Sequence, residues 1–307
     1  MRVRLSDGSG RYRGLVLVST DWLAGHLDDP DIVVVDMRWR EDGSGRSRYG
    51  RGHIPGAVFI DWATDLVDPD ASVAFMLASP ARFTEVMASR GIGDDSLVVA
   101  YADRFGNGPF RLWWASRVYG HDQVRVLDGG LDKWLSEGRP ISADPPKPRS
   151  PASPWSPRPG PPILATAEDV AAAKSDHSVV VLDSRPAEQF AGKAVWFETG
   201  AVRADPDGIA RTPRGEFRAG HVPWAASIPF ATLYREDHTI KSPEQLRELF
   251  ARSGAEPGRK VITYCGCGLS ASALLFAATL AGIEDAALYD ASWEEWGRQP
   301  ELPVARF

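Results

Sequence analysis

The chain has 307 residues, enough for two domains, and carries 35 Lys and Arg against 41 Asp and Glu, a net charge of −6. That balance gives no general attraction to nucleic acid or to an anionic membrane, so an anionic ligand must be drawn by local arginines. Its two cysteines, Cys265 and Cys267, exclude a disulfide framework and a four-thiolate zinc site, and fit a reducing, cytoplasmic compartment. Met1 to Gly8 lacks the apolar stretch of a secretory signal, and no apolar run of about 18 residues predicts a membrane span.

In chain order, Thr20–Leu27 has a helical pattern and Ile32–Asp36 reads as a buried strand. Gly52-His53-Ile54-Pro55 follows, then a helix over Pro80–Ser89 and a strand at Leu97–Tyr101. A helix near Phe110–Tyr119, a strand at Val124–Asp128 and a short helix from Gly129 to Leu135 complete the first half. The proline-dense stretch 145–162 can make neither ladder nor helix and reads as a semi-rigid linker. It separates a first domain, 1–144, from a second, 163–307.

The second domain repeats the first. Val179–Arg185 matches Val33–Arg38, Gly220-His221-Val222-Pro223 matches Gly52–Pro55, and Val261–Tyr264 matches Val98–Tyr101. Leu288–Trp296 matches Val126–Trp134. Four motifs in one order point to duplication, and strands alternating with helices predict parallel α/β domains with both sheet faces covered. One interval differs: Asp36 to His53 spans 17 residues, Asp183 to His221 spans 38. The excess is an insertion, roughly Lys193 to Arg218, that reads as either a functional loop or a surface excursion.

Chemistry concentrates where Val261-Ile262-Thr263-Tyr264 runs into Cys265-Gly266-Cys267-Gly268-Leu269-Ser270-Ala271. A strand, a tight loop and a helix N-terminus in that order place the Cys265 thiol before backbone N–H groups that have no helical partner. Such surroundings favour thiolate, so Cys265 is the candidate nucleophile and the loop a candidate anion cradle. At the matching place the first half has Ala102-Asp103-Arg104-Phe105-Gly106-Asn107-Gly108-Pro109. The duplicate keeps the scaffold and lacks the thiol.

From about Val18 to Val304 the chain resembles the two-domain rhodanese family, the thiosulfate and 3-mercaptopyruvate sulfurtransferases. The Cys-Gly-Cys-Gly-Leu-Ser loop is similar to the Cys-Gly-Ser-Gly-Val-Thr loop of the mercaptopyruvate branch. Asp183-Ser184-Arg185, the Gly-His-Ile/Val-Pro pair and the Tyr-Asp-Ala-Ser-Trp-Glu-Glu-Trp ending match as well. The resemblance implies tandem rhodanese domains, the first silent and the second catalytic. It implies that Cys265 takes sulfur from a small anionic donor, becomes a persulfide and passes the sulfur to cyanide or a thiol. Gly266, Cys267, Gly268, Leu269, Ser270 and Ala271 would cradle the persulfide, and Arg185 would grip the donor. No cofactor, metal, nucleic acid or membrane partner is implied, and oligomeric state is left open.

Alternatives attach to several of these residues. Ser270 is also the expected N-cap of the following helix, and Arg185 is equally suited to a structural ion pair with Asp183. His53 and His221 recur in both halves and read as structural; Trp134, Trp293 and Trp296 read as packing. Three departures from the family leave the donor open. Gly266 and Cys267 stand where the thiosulfate branch is basic, Gln189 replaces a second arginine, and Phe75-Met76-Leu77 lacks a first-domain histidine. Arg203, Arg211, Arg214 and Arg218 of the insertion are candidates to compensate. Cys267 either replaces the family's serine passively or attacks an oxidised or persulfidated Cys265 to form a disulfide. A cysteine phosphatase would want an arginine where Ala271 stands. A sulfur-carrier module and a metal held by Cys-x-Cys are the other readings.

Overall fold

The apolar, largely β-branched runs become short strands buried along nearly their whole length, because helices cover both faces of each sheet. In the computed structural model, residues 16–307 are described, apart from 148, 149, 152, 198, 199 and 257. The N-terminal stretch read above for a signal lies outside the described residues. The first half runs β1 (Leu17–Val18), α1 (Thr20–Ala24), β2 (Ile32–Asp36), α2 (Gly45–Arg51), β3 (Val58–Phe59), α3 (Trp62–Asp65), α4 (Pro80–Ser89), β4 (Leu97–Tyr101), α5 (Gly108–Val118), β5 (Val124–Leu127) and α6 (Gly130–Ser136). The second runs β6 (Leu164–Ala165), α7 (Ala167–Ala172), β7 (Val179–Asp183) and α8 (Ala187–Phe190), then four insertion strands, β8 (Ala194–Phe197), β9 (Gly200–Arg203), β10 (Ile209–Thr212) and β11 (Gly215–Arg218). It ends with β12 (Ala226–Ser227), a 3₁₀ turn (Phe230–Leu233), α9 (Pro243–Ala251), β13 (Lys260–Tyr264), α10 (Leu269–Ala281), β14 (Ala286–Tyr289) and α11 (Ser292–Trp296).

Two five-stranded parallel sheets result, ordered β1-β5-β4-β2-β3 and β6-β14-β13-β7-β12. Corresponding strands occupy corresponding places, as duplication predicts. Equivalent helices also start alike. Ser79 caps α4 and Ser242 caps α9, each with proline next in line, where a missing N–H costs nothing.

The same aspartate–arginine fork braces each sheet. Arg38 Nε and Nη2 bind Asp36, and Nη2 also donates to Gly52 O at 2.6 Å. Arg185 repeats this with Asp183 and Gly220 O, again at 2.6 Å. A tyrosine hydroxyl closes each network, Tyr101 accepting Ile54 N–H and Tyr264 accepting Val222 N–H.

The halves meet across a pseudo-twofold interface. α5 packs on α10, with Phe110 and Trp113 each 5.0 Å from Phe276 between ring centres, and one apolar core runs through both halves. Asp290, after β14, accepts Leu77 N–H from the first half at 2.8 Å. Its counterpart Asp128, after β5, accepts Ile240 N–H from the second half at the same distance. Each receiving segment bends through a left-handed residue two positions earlier, Phe75 at φ 64° and His238 at φ 66°. The symmetry breaks at one group: Arg111 on α5, fully buried, forms an ion pair with Asp290 and donates to Phe75 O at 2.9 Å.

The insertion is two antiparallel hairpins, β8–β9 and β10–β11, not an irregular loop. The described residues of the proline-rich stretch hold no helix and no strand of either sheet, but they are strapped to the first half. Trp155 is buried there, stacked 3.5 Å from the His121 ring, and Ser156 N–H donates to Asp94 at 2.8 Å.

Replacing Asp290 by Ala strands the Arg111 charge in the interface, at a cost of about 3–5 kcal/mol. The first urea transition, followed by tryptophan fluorescence, is expected at lower denaturant. Arg111→Met combined with Asp290→Leu recovers most of the loss. An unshifted midpoint in the single variant contradicts this role for the pair.

Candidate active site

β13 delivers Cys265 to the carboxyl edge of the second sheet, where parallel sheets bind ligands. The loop is tied down from behind. Cys265 N–H donates to Ser292 Oγ at 3.0 Å, Cys265 O accepts Trp293 N–H at 3.0 Å, and Gly266 O accepts Glu294 N–H at 2.9 Å. Ser292 holds this position at φ 51°, a left-handed conformation uncommon outside glycine. Gly268 also sits left-handed, at φ 75°; a Cβ there would run into Asp290 and come within 2.7 Å of Arg111 Nη1. The interface ion pair therefore forms the floor under the loop.

The Cys265 side chain is buried, with 2 % of its surface exposed. Burial pushes a thiol up, but four donors converge on this sulfur: the Cys267 thiol, Ala271 N–H, the Ser270 hydroxyl and Cys267 N–H. They outweigh burial and bring Cys265 down to about 6, so it is a thiolate at neutral pH. Cys267 moves the other way. Its bond to the Cys265 sulfur, burial and the adjacent negative charge push it well up, so it remains the protonated donor.

Ser270 corrects an expectation. The N-cap of α10 is Gly268, with no side-chain cap, and Ser270 lies inside the helix. Its hydroxyl bonds the Cys265 sulfur and, at 2.9 Å, Ser184 Oγ. Ser184, from the Asp-Ser-Arg motif, thereby orients a cradle donor, a role unmarked in the sequence.

Cys265, Gly266, Cys267, Leu269 and Ser270 open on a cavity of about 600 Å³ between the two halves. Gly268 and Ala271 lie behind it, and the Ala271 side chain is fully buried. No guanidinium stands where a phosphatase would need one. Arg185 lines the cavity, but its fork is spent on Asp183 and Gly220, and its Cζ lies 4.3 Å from the centre of the Trp293 ring. Only its Nη1 remains, buried with no hydrogen-bond partner among the described residues. Gln189 lines the same wall and leaves a buried Oε1 without one. Both residues line the cavity, and each keeps one buried polar atom that a polar ligand could satisfy.

The insertion contributes no cavity arginine among the described residues. Arg211 pairs with Asp205 and Glu216, Arg214 with Glu294, and Arg218 binds carbonyls of the C-terminal segment at Trp296 and Leu302. Arg203 lies on β9, exposed. What the insertion contributes is Trp196, which packs over Gly266 and against Phe75, 5.5 Å between ring centres.

The cavity's other cations come from the first half. Arg40 is paired with Asp103. Arg104 is exposed, stands 4.9 Å over the Phe105 ring, and has no carboxylate partner among the described residues. Phe105 fixes that loop edge-on against Tyr234 of the second half, 5.6 Å between ring centres. Sequence reasoning passed over both arginines. The available signal was position: they follow the carboxyl ends of β2 and β4, as the cysteine loop follows β13.

His53 and His221 are buried and bond backbone carbonyls, Tyr49 O at 3.0 Å and Phe190 O at 2.7 Å. Trp134, Trp293 and Trp296 are buried, each indole donating to a carbonyl. Among the described residues no three His, Cys, Asp or Glu side chains cluster as a metal site, and no helix is long and apolar enough to cross a membrane.

The sequence pattern of the rhodanese-like domain matches residues 19–137 and again 166–299. The chain belongs to the rhodanese family. It is 31 % identical over 297 residues to the 3-mercaptopyruvate sulfurtransferase of Escherichia coli K12, covering 94 % of this chain and 96 % of that one. It is 33 % identical over 306 residues to the thiosulfate sulfurtransferase of Rattus norvegicus, covering 96 % of each. Among solved structures it is similar to SseA from Escherichia coli, a 3-mercaptopyruvate sulfotransferase of rhodanese fold. The TM-score is 0.74 at 30 % identity, over 90 % of this chain and 98 % of that one. The first rhodanese-like match carries the Arg104 loop where the second carries the cysteine loop.

Alkylation of Cys265 by iodoacetamide should rise with pH through a midpoint near 6, as thiol gives way to thiolate. Ser270→Ala removes one donor to the anion and should move that midpoint up by about one unit, the worth of one charge-assisted hydrogen bond. A midpoint near the ordinary thiol value of about 8.5 contradicts the cradle.

Proposed function

We propose that this protein is a sulfurtransferase that carries sulfane sulfur on Cys265, from a small anionic donor to cyanide or a thiol. The observation that carries the reading is a buried thiolate, ringed by donors, at the floor of a cavity with an uncommitted guanidinium at its wall. The thiolate attacks the donor's outer sulfur. The donor's remainder leaves with the bonding electron pair, as sulfite from thiosulfate or, after protonation, pyruvate from 3-mercaptopyruvate. The Cys265 persulfide then holds the negative charge on its terminal sulfur, and the acceptor takes that sulfur and restores the thiolate. Ala271 N–H, Cys267 N–H and the Ser270 hydroxyl stabilise the anion at each stage.

Arg104 is the residue we assign to the donor's anionic end, with Arg185 Nη1 as the inner contact. Among the described residues Arg104 alone of the cavity arginines holds no carboxylate. Relatives named for mercaptopyruvate and for thiosulfate are about equally similar to this chain, so identity does not choose the donor. Small donors are favoured over a partner protein's persulfide because Cys265 is 2 % exposed at a cavity floor.

Initial rates of thiocyanate formation, with thiosulfate and 3-mercaptopyruvate run in parallel at saturating cyanide, test the activity. Multiple turnover with either donor is the expected outcome; stoichiometric loading alone points to a carrier. Arg104→Ala should raise KM for the donor about tenfold, the low end for a hydrogen bond to a charged group, with a smaller effect on kcat. An unchanged KM contradicts the assignment.

A further inference from the structure

Sulfur transfer on Cys265 needs Cys267 only as a hydrogen-bond donor, for which a serine would serve. A thiol there adds a nucleophile, and the structure puts it in contact with the sulfur that is to be loaded. The Cys267 thiol lies within hydrogen-bonding reach of Cys265, both side chains are buried, and both line the same cavity. These are the only two cysteines of the chain and both are free. Arg111, beneath Gly268, and the Leu269 N–H both favour negative charge on Cys267. What holds Cys267 protonated at rest is chiefly its bond to the Cys265 thiolate. Loading moves that charge one atom outward, onto the terminal sulfur.

We propose that Cys267 is a built-in resolving thiol, which discharges the Cys265 persulfide as hydrogen sulfide when no external acceptor is present. The inference rests on the persulfide reading of Cys265. The Cys267 proton passes to the terminal sulfur of the persulfide. The Cys267 thiolate attacks Cys265 Sγ, a Cys265–Cys267 disulfide bond forms, and the bond from Cys265 Sγ to the terminal sulfur breaks. That sulfur leaves as hydrosulfide with the bonding pair. Both cysteine sulfurs are oxidised and the sulfane sulfur is reduced to sulfide, so the step needs no outside oxidant. The chain is left as a disulfide, silent until a dithiol reduces it. Sulfide release would thus be coupled to an external reductant, while cyanide or a thiol arriving first would bypass the disulfide.

The test is a single loading of anaerobic, fully reduced protein, with no acceptor and no reductant. 3-Mercaptopyruvate is used in one run and thiosulfate in another. Sulfide is measured colorimetrically, and the intact chain is weighed by mass spectrometry. The wild-type chain is expected to release stoichiometric sulfide, retain no added sulfur and be lighter by two hydrogens. Cys267→Ser should instead keep the mass of one added sulfur and release no sulfide above background. Cys267→Ala must behave as Cys267→Ser does, because neither carries a sulfur. Wild-type protein that holds its added sulfur as the variants do overturns the resolving role and leaves the persulfide reading intact. If no chain acquires sulfur or releases sulfide with either donor, the persulfide reading falls and takes this inference with it.

Discussion

Cys265 holds a negative charge where almost no water reaches it. An uncompensated buried charge costs several kcal/mol, so the loop must return more than burial removes. Ala271, Cys267 and Ser270 do so because β13, Gly268 and α10 turn the chain tightly enough to aim their donors at one sulfur. The net preference for thiolate, a fall from the ordinary thiol range to about 6, is worth on the order of a few kcal/mol. Because the folded value lies below the unfolded one, that contribution to stability is complete above about pH 8.5. It fades as pH falls toward 6.

The cradle in turn depends on the junction between the halves. Gly268 rests on Asp290, Asp290 is held by Arg111 and Leu77 N–H, and Arg111 belongs to α5 of the other half. The first half has no cysteine at the matching loop and lines the cavity opposite Cys265. It supplies the buried cation under the loop, the exposed cation over the cavity, and Trp39 and Trp62 in the cavity wall. Duplication makes this economical, since both halves present the same carboxyl sheet edge. One edge carries the thiol and the other carries Arg40 and Arg104, which line the same cavity.

The fold was legible in the sequence because its strands are apolar runs in a repeated order, and each run had a twin to confirm it. Cys265 and its loop were legible because the twin lacks them. Other features were hidden for physical reasons. Serine shortly after a loop glycine suits a cap, but the left-handed Gly268 starts α10 two residues earlier and turns Ser270 toward the sulfur. The insertion's arginines looked available because charge in a sequence carries no partner. The fold supplies one at Asp205, Glu294 and the C-terminal carbonyls. Arg185 divides between its two readings, its fork structural and Nη1 left over. Arg104 was missed because it belongs to the half without the thiol, and only the packing of two domains brings it to the cavity.

The measurement that most directly tests the central claim is rapid-quench peptide mapping of the wild-type protein after mixing with donor and cyanide. One sulfur should appear on the peptide that carries Cys265 within the first turnover, before thiocyanate, and should decay as thiocyanate rises. Thiocyanate formed with no sulfur passing through Cys265 would contradict the account.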